Sequence, residues 1–543
     1  MLVACVSTTG VLAAPLWRWG TSRTGHGSSA SSSGSSTTPQ PGLLAGTAGR
    51  ALSGAGRCMH TANDEPLDNY TWFAPEHLRQ RAQVSAGDTA RMRMAMDRHA
   101  RGEPLKVVFL GGSITAGQGN WGDGLSFPAW AEAVFNASIV ANKGAPNVKV
   151  HNGAVPGTLS SYMSVCHNIH TPKDADIIFV DYSVNDDWEM FPPMNNGVRR
   201  PFERLLRKLL NYPKRPAVVL VHAYVWHSVL PPSGKFWASS ERDHHEFGSF
   251  YGLPQLSVKA ALWETFQQDK LPGFRTHRTR SSMHGSHQPE LDDQLRGQVF
   301  YWDLVHPDGL TGHRFMGEMV ATLVLDALAS VRASPITDSE REAVARPIPP
   351  PMLPDNFESP SDKCFIGPAF LAAVASHDGW EYRDEGKDPD KPKLGYISEL
   401  PGSRLRFKVS TKALSFSPVE SEKSVIIELS YLKSYVNMGQ AAVRCVGGCT
   451  CDESRIDGHN DEKNSQLHLH EFKATQADEC LIEIEVLGET RSGHHKVKIS
   501  AIIISEEAGM AGVRNDLAVN MVMEGANKNS DGNFDIRTWG RRS

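Results

Sequence analysis

Residues 107–117, with the sequence VVFLGGSITAG, decide the fold of this chain. Their first four side chains are apolar, and two of them are β-branched, which predicts a short buried strand. Two glycines then allow a sharp turn without a Cβ clash. Ser113 follows at the carboxyl end of the strand, where open parallel sheets place their ligand crevice. The pattern suits a nucleophile if a base and oxyanion donors converge on this hydroxyl, although glycine turns are also common without any chemistry.

The sequence around this stretch alternates between strand and helix patterns. Short apolar runs predict strands at residues 148–152, 176–181 and 217–221. Amphipathic patterns predict helices at residues 90–101, 126–135 and 202–210, and another that ends near residue 168. This alternation predicts an α/β fold whose parallel sheet is covered on both faces. Residues 300–302 are expected to return to that sheet, and a long helix over residues 311–332 to close the domain.

Two long insertions interrupt this pattern, at residues 225–252 and 269–298. Connections of this length inside a compact domain are usually functional lids or unstructured segments. Four histidines fall in them: His244, His245, His284 and His287. Scattered loop histidines are usually solvated, so we expect no metal site here, while a role in contacting substrate stays open.

The pattern changes after the first domain, which we place at residues 70–335. A proline-rich linker is expected at residues 336–363. Residues 364–508 contain six β-prone runs without a long helix between them, which predicts an antiparallel β-sandwich. This module suits either sugar binding or a structural cap. The Gly- and Asn-rich tail, residues 509–543, is expected to be loose.

Composition excludes several classes of partner. A formal net charge of −5 over 543 residues gives no reason to expect nucleic acid or an anionic membrane surface. The most apolar long segment, residues 316–329, is interrupted by Glu318 and Asp326. No stretch reaches the ~20 apolar residues of a membrane span, so we expect no integral membrane segment.

The N-terminal 65 residues have the composition of a targeting or low-complexity leader. The first 63 contain four arginines, no lysine and no acidic residue. Residues 2–14 suit a secretory core that ends in small side chains, whereas the Arg- and Ser-rich remainder suits an organelle transit peptide. A secretory or extracellular location and an organelle therefore both stay open. The sequons at Asn69 and Asn136 would matter only on the secretory route.

The cysteines favour an oxidising compartment. Five of the eight crowd into the last third of the chain: Cys364, Cys445, Cys449, Cys451 and Cys480. Clustered cysteines in a β-rich module favour disulfides. A metal knot is the alternative, but the spacing Cys445-x3-Cys449-x-Cys451 is not the usual zinc pair, and free buried thiols are a third possibility.

Four candidate functional positions fall at predicted strand ends of one sheet: Ser113, Gly157, Asn185 and the pair Asp303/His306. Each also has a purely structural explanation. Gly157 suits a turn, Asn185 and Asp303 suit caps, and a histidine in a loop is often a satisfied structural residue. Their order and positions together nevertheless match one reaction, nucleophilic attack by a serine on an ester.

These blocks together resemble those of the SGNH (GDSL-type) hydrolases. The four blocks are residues 111–115 (GGSIT), 152–157 (NGAVPG), 183–186 (SVND) and 303–307 (DLVHP). The resemblance covers residues 105–332 and implies a three-layer, flavodoxin-like parallel-sheet domain. One block alone is a weak signal, whereas four in order with an intact Asp-x-x-His-Pro are a strong one.

The resemblance implies a role for each residue. Ser113 is the nucleophile, His306 the base that takes its proton, and Asp303 the carboxylate that orients the imidazole. The backbone N–H groups of Ser113 and Gly157 and the side-chain amide of Asn185 form the implied oxyanion hole. This chemistry requires no cofactor and no metal.

Two positions depart from the family pattern. Gly112 stands where the family usually has an aspartate, and Ser183 replaces the glycine of the third block. Neither position supplies the attacking or proton-transferring group, so we expect activity to survive. The departures weaken any inference about substrate from close relatives.

We therefore expect a serine esterase that hydrolyses a small-molecule or polysaccharide acyl ester, with an acylated glycan favoured. Two alternatives stay open. A carbohydrate O-acyltransferase would use the same residues with a sugar hydroxyl in place of water. A non-catalytic glycan-binding protein on a hydrolase scaffold gains weight from the two departures and from insertions that could block the crevice.

Overall fold

The computed structural model of the chain describes residues 70–120, 123–140, 147–186, 192–226, 239–279, 295–386, 393–413, 424–461 and 465–505. The predictions for residues 1–65 and 509–543, and for Asn69, His284 and His287, lie outside these ranges.

In the ranges just given, the first part of the chain contains eight strands. They are β1 Gln83–Ser85, β2 Leu105–Gly111, β3 Val148–Asn152, β4 Ile177–Asp181, β5 Ala217–His222, β6 Gln255–Ser257, β7 Arg275–Arg278 and β8 Val299–Tyr301. Six of them form one sheet in the order β1-β6-β5-β4-β2-β3. Strands β2 to β6 are parallel to their neighbours, and β1 pairs antiparallel with β6. The chain is thus a mixed α/β protein with a parallel sheet, as the alternating pattern predicts.

Helices cover both faces of this sheet. They are α1 Glu76–Arg81, α2 Ala90–Ala100, α3 Ser113–Ala116, α4 Phe127–Phe135, α5 Ser160–His170, α6 Arg199–Leu210, α7 Glu241–Phe250, α8 Val258–Gln268, α9 Gly312–Ala333 and α10 Asp338–Ala345. Alternate residues of β2 point to opposite sides: Val107 and Phe109 pack with α2, α4 and α9, whereas Val108 and Leu110 pack with α5 and α6. Within the described part of the chain, no helix is long and apolar enough to cross a membrane.

Glu318, which interrupts the apolar pattern of α9, has a structural role. Glu318 is fully buried. Its carboxylate accepts the backbone N–H groups of Phe73 and Ala74, each at 2.8 Å, and the hydroxyl of Tyr70 at 2.9 Å. Arg314, one turn earlier, lies 3.1 Å away. A buried carboxylate needs such partners, and these anchor the N-terminal segment of the domain across α9.

Two expectations for this domain are wrong. Residues 300–302 do not return to the main sheet, because β8 pairs with β7 in a separate two-stranded parallel sheet. The edge beside β6 is already taken by β1. The insertion 225–252 also contains the helix α7, on which His244 is 1% exposed rather than solvated. Its ring stacks on Phe202 with centroids 3.6 Å apart, which explains its burial.

The expected linker at residues 336–363 is partly helical. Helix α10 lies within it and begins with a capping box, in which Thr337 and Glu340 satisfy each other's backbone N–H groups. This helix is polar in composition, so its sequence does not show the apolar pattern of a helix. The proline-rich sequence after it therefore led to the prediction of a linker. Residues 346–362 contain no helix or strand.

The second part of the chain forms two antiparallel sheets. Its elements are β9 Lys363–Ile366, α11 Pro368–Ala373, β10 Val374–Asp378, β11 Glu381–Asp384, β12 Leu394–Ser398, β13 Arg404–Val409, β14 Ser424–Ser434, β15 Gln440–Gly447, β16 Ser454–Asp457, β17 Ser465–Thr475, β18 Cys480–Val486 and β19 Val497–Ser505. One sheet has the order β10-β13-β18-β15-β16, and the other β11-β12-β19-β14-β17 with β9 on β19. Alternating residues such as Phe407, Ile427 and Ile482 fill one core between the sheets. The six β-prone runs coincide with β13, β14, β15, β17, β18 and β19.

Disulfides are present, as the clustered cysteines predict. Cys445 pairs with Cys451, and Cys449 with Cys480. A third bond joins Cys166 on α5 to Cys364 on β9, 198 residues apart, and so connects the two domains. The sulfurs of Cys445, Cys449 and Cys480 lie within 4.8 Å of one another, the arrangement a metal knot would use, but all three are disulfide-bonded here.

Candidate active site

Ser113 is the first residue of α3, at the carboxyl edge of the parallel sheet. The turn before it is tight: a Cβ atom on Gly111 would lie 2.2 Å from Oγ1 of Thr115, so only glycine fits there. The Thr115 hydroxyl donates to Asp181 at the end of β4, at 3.1 Å. Burial raises the pKa of Asp181 to about 7, although the Thr115 hydroxyl and the N–H of Ala223 counteract it. These contacts fix the short helix that carries Ser113.

Three predicted residues form one hydrogen-bonded row. Nε2 of His306 lies 2.9 Å from Oγ of Ser113, and Nδ1 lies 2.8 Å from Oδ2 of Asp303. Asp303 also accepts the backbone N–H groups of Val305 and His306, at 2.8 and 2.7 Å. The imidazole therefore bridges the hydroxyl and the carboxylate, although Ser113 and His306 are 193 residues apart.

The environment keeps Asp303 ionised. Burial alone would raise the pKa of this carboxyl, which is 2% exposed. The charge of His306 and the hydrogen bonds from His306 and Val305 outweigh burial, so the pKa lies below its usual range. A carboxylate in this position can stabilise a positively charged imidazole next to it.

The two remaining predicted positions line the same cavity as Ser113 and His306. Gly157 and Asn185 border a cavity of about 1400 Å³ together with them. Gly157 has φ +74°, a conformation that favours glycine, and its loop is attached to β2 where the N–H of Val155 donates to the carbonyl of Gly111 at 3.0 Å. The structure thus brings all five predicted residues to one place. Their arrangement offers a hydroxyl, a base and amide donors around a common space.

The departure at Gly112 has a geometric reason. The side chain of Asn185 occupies the space into which a Cβ atom at position 112 would project. Ser183, the other departure, is 1% exposed and donates its hydroxyl to the carbonyl of Ala223 at 3.1 Å. Both residues are therefore accommodated without blocking the cavity.

One residue that supports the site could not be identified from the sequence. His313 on α9 is fully buried, and its Nε2 lies 2.9 Å from the carbonyl oxygen of Gln118. Burial lowers the pKa of His313 to about 4, so the neutral ring donates to this carbonyl near neutral pH. Gln118 lines the cavity. The helical periodicity of α9 predicts that His313 faces the core. It does not predict the hydrogen bond to Gln118.

The second domain supplies the opposite wall of the cavity. Its lining residues include Tyr382, Lys393, Ser430, Leu467, His494 and Lys498. The sheet that carries them packs on the first domain through Ile426 and Ile503, which share an apolar cluster with Met163 of α5. The site is therefore a cleft between two domains, and its far wall carries both polar and apolar side chains.

Comparisons with known proteins were made at the level of sequence and of fold. No family model matches the sequence, and no curated protein matches it. One similar solved structure is a two-domain esterase active on acetylated mannans, with 19% identity, coverage of 79% of this chain and 99% of that chain, and a TM-score of 0.55. Another is a two-domain esterase active on acetylated mannans that was co-crystallized with mannopentaose, with 19% identity, coverage of 79% and 98%, and a TM-score of 0.52. At this identity the likeness shows a shared two-domain fold.

Proposed function

We propose that this chain is a serine esterase of the SGNH (GDSL-type) class that removes acyl groups from an acylated polysaccharide. The hydrogen-bonded row Ser113–His306–Asp303 carries the proposal. The fold supports the class: in chain order, the parallel strands β2 to β6 are arranged 2-1-3-4-5, the flavodoxin-like order. Such sheets bind ligands outside the carboxyl ends of their strands, where Ser113 lies.

The first step forms an acyl-enzyme. Oγ of Ser113 attacks the ester carbonyl carbon while Nε2 of His306 takes the hydroxyl proton. The imidazolium that forms is stabilised by the Asp303 carboxylate on its other nitrogen. His306 then returns the proton to the sugar oxygen as the ester C–O bond breaks, so the sugar leaves with a free hydroxyl.

The oxyanion of the tetrahedral intermediate needs donors that are already in place. We assign the backbone N–H groups of Ser113 and Gly157 and the side-chain amide of Asn185. Loss of one such donor typically reduces turnover by about 10²–10³-fold. In the second step a water, deprotonated by His306, attacks the acyl carbon, and the acid leaves as Ser113 regains its proton.

The cleft supports a polyhydroxylated substrate. Its second-domain wall presents hydroxyl, amide and imidazole groups: Ser430, Ser434, Asn437, Ser465, His494 and Ser500. These groups can donate to and accept from sugar hydroxyls. The solved two-domain esterases act on acetylated mannans, which makes an acetylated polysaccharide the favoured substrate class for this chain.

The test compares the wild type with Ser113→Ala on acetylated mannan and on p-nitrophenyl acetate. We expect acetate release by the wild type and a loss of about 10⁴-fold or more in kcat for the variant. Ser330→Ala is the matched control and should remain active, because this hydroxyl on α9 donates to the carbonyl of Ala327 and accepts from Arg93. Equal activity of Ser113→Ala and wild type would exclude serine catalysis.

The same assay separates the alternatives. Transfer of the acetyl group to an added glycan, rather than release of acetate, would identify a transferase. A non-catalytic protein would release no acetate and would not react with a fluorophosphonate at Ser113.

We also propose that the chain follows the secretory route. Three disulfides support an oxidising compartment. Asn136 belongs to a sequon and is exposed. Expression in a eukaryotic host should give a protein whose mass falls on glycosidase treatment, and Asn136→Gln should remove part of that change. Retention of the protein in an organelle would support the transit-peptide alternative.

A further inference from the structure

The loops that carry Gly157 and Asn185, two of the proposed oxyanion donors, follow different strands and are connected through Asp186. Asn185 follows β4, and Gly157 follows β3. Asp186, next to Asn185, is 2% exposed. Its Oδ1 accepts the backbone N–H of Ser160 at 2.9 Å, and its Oδ2 accepts the Ser160 hydroxyl at 2.7 Å. Ser160 is three residues beyond Gly157, so one carboxylate ties the two loops together.

The contact with Ser160 has a clear physical basis. Ser160 is the first residue of the 11-residue helix α5, whose preceding residue, Leu159, has no side chain that can cap it. The first N–H groups of a helix lack intrahelical partners and carry partial positive charge. Asp186 supplies the missing acceptor from a different element of the fold. The end of α5 and the Asn185 loop are therefore fixed by the same interaction.

The other side of the carboxylate is also enclosed. Nε2 of His244 lies 3.2 Å from Oδ2 of Asp186, and the His244 ring is held by its stack on Phe202. Asn185 and Asp186 both direct their backbone N–H groups to the carbonyl of Tyr182, at 3.1 and 2.9 Å. The Asp186 carboxylate thus lies between Ser160 and His244, whereas Asn185 and Gly157 border the cavity and Asp186 does not.

We propose that Asp186 is a positioning residue. It fixes the N–H of Gly157 and the amide of Asn185 relative to each other, so that both can donate to the oxyanion. This inference rests on the proposed esterase function. Because the oxyanion exists only in the transition state and the intermediate, a misplaced pair of donors should lower kcat and leave KM nearly unchanged. A displacement of about 1 Å can cost about 10²-fold in rate.

The experiment compares Asp186→Ala and Asp186→Asn by kcat, KM and thermal unfolding on p-nitrophenyl acetate. Asp186→Ala should lower kcat by about 10²-fold, with KM within about twofold of the wild type. Asp186→Asn should stay within about fivefold of the wild type in kcat, because its amide can accept the Ser160 N–H and donate to the Ser160 hydroxyl. A boronic acid that mimics the tetrahedral intermediate should bind Asp186→Ala more weakly, in proportion to the loss in kcat.

The matched control is Asp176→Ala, which removes a buried carboxylate from the opposite end of β4. Asp176 accepts the backbone N–H of Lys106 at 3.0 Å and pairs with Arg98 at 2.9 Å, remote from the cavity. It should unfold at a lower temperature with unchanged kcat. A folded Asp186→Ala with wild-type kcat, or an Asp186→Asn as impaired as Asp186→Ala, would overturn the positioning role.

Ser160→Ala provides the second variant if Asp186→Ala does not fold. It removes only the hydroxyl contact and should lower kcat about three- to tenfold at unchanged KM. Wild-type kcat in Ser160→Ala, in the absence of a folded Asp186→Ala, would overturn the inference. Absence of turnover in the wild type would overturn the esterase proposal and this inference together, whereas an active wild type with unaffected variants would overturn this inference alone.

Discussion

The side chain of Asn185 lies directly against the Cα atom of Gly112. A Cβ atom at that position would lie 2.2 Å from Nδ2 and 2.4 Å from Oδ1 of Asn185. Real Cβ atoms do not approach other atoms so closely, so alanine at position 112 of this chain requires the Asn185 amide to shift. The residue just before Ser113 therefore determines where the amide of Asn185, the proposed oxyanion donor, can lie.

Gly112→Ala should consequently move the Asn185 amide out of the proposed oxyanion hole without altering the row of Ser113, His306 and Asp303. We expect kcat to fall by about 10²-fold, the cost of one lost donor, and the double variant with Asn185→Ala to lose little more than either single variant. Steady-state kinetics on p-nitrophenyl acetate measure the effect. Gly488→Ala is the control, since a Cβ atom there meets no other atom within 4 Å. Additive losses in the double variant would show that the two positions act separately.

Replacement of Asp303 tests the carboxylate end of the row. Asp303→Asn keeps the shape of the side chain but removes the charge that would stabilise the imidazolium of His306, and the amide favours the wrong tautomer of the ring. We expect kcat to fall by about 10⁴-fold with little change in KM. Asp308→Asn is the matched control, because Asp308 is also buried in this segment but contacts Leu310 and Thr279 instead. Equal losses for the two variants would assign the effect to the fold of the segment.

The sequence predicted those parts of the molecule that depend on local pattern. β3 has the expected bounds, and α4 begins one residue after Ser126, whose side chain accepts the N–H of Ala129 as a helix cap. The four blocks also fall where strand ends converge, because parallel strands place their carboxyl ends at one edge.

Contacts between distant elements were beyond prediction from one sequence. The bond between Cys166 and Cys364 spans 198 residues and depends on how α5 meets β9. The polar neighbours of His244 predicted a solvated loop histidine. In the structure its neighbour Asp243 pairs with Arg199 at 2.9 Å, and this ion pair allows the segment to be buried. Tertiary partners decide such cases, and sequence periodicity does not reveal them.

The interface between the domains should make stability depend on pH through Glu428. Burial, reinforced by the charge of Glu471, raises the pKa of Glu428 to about 8, from 4.5 in an exposed chain. Above pH 4.5 the unfolded chain loses this proton while the folded chain keeps it, so the folded state binds more protons and its stability falls as pH rises toward 8. Glu428→Gln should therefore raise the unfolding midpoint by at least ~2 °C at pH 8 and have little effect near pH 4.5.

Thermal unfolding of the wild type and Glu428→Gln across this pH range provides the measurement. Glu399→Gln is the control, because Glu399 is an exposed carboxylate on the rim of the same cleft. A constant difference between Glu428→Gln and wild type at all pH values would contradict the assigned pKa.

The disulfide between the domains should contribute more to stability than the short-loop disulfides of the second domain. Cys166–Cys364 closes a loop of 198 residues, whereas Cys445–Cys451 closes one of 6. The entropy that a crosslink removes from the unfolded chain grows with loop length, which gives about 5 kcal/mol for the first and about 2 kcal/mol for the second. The double variant Cys166→Ala/Cys364→Ala should thus lose more free energy of unfolding in urea than Cys445→Ala/Cys451→Ala. An equal or smaller loss would contradict the dependence on loop length, and with it the unfolded-state origin of the stabilisation.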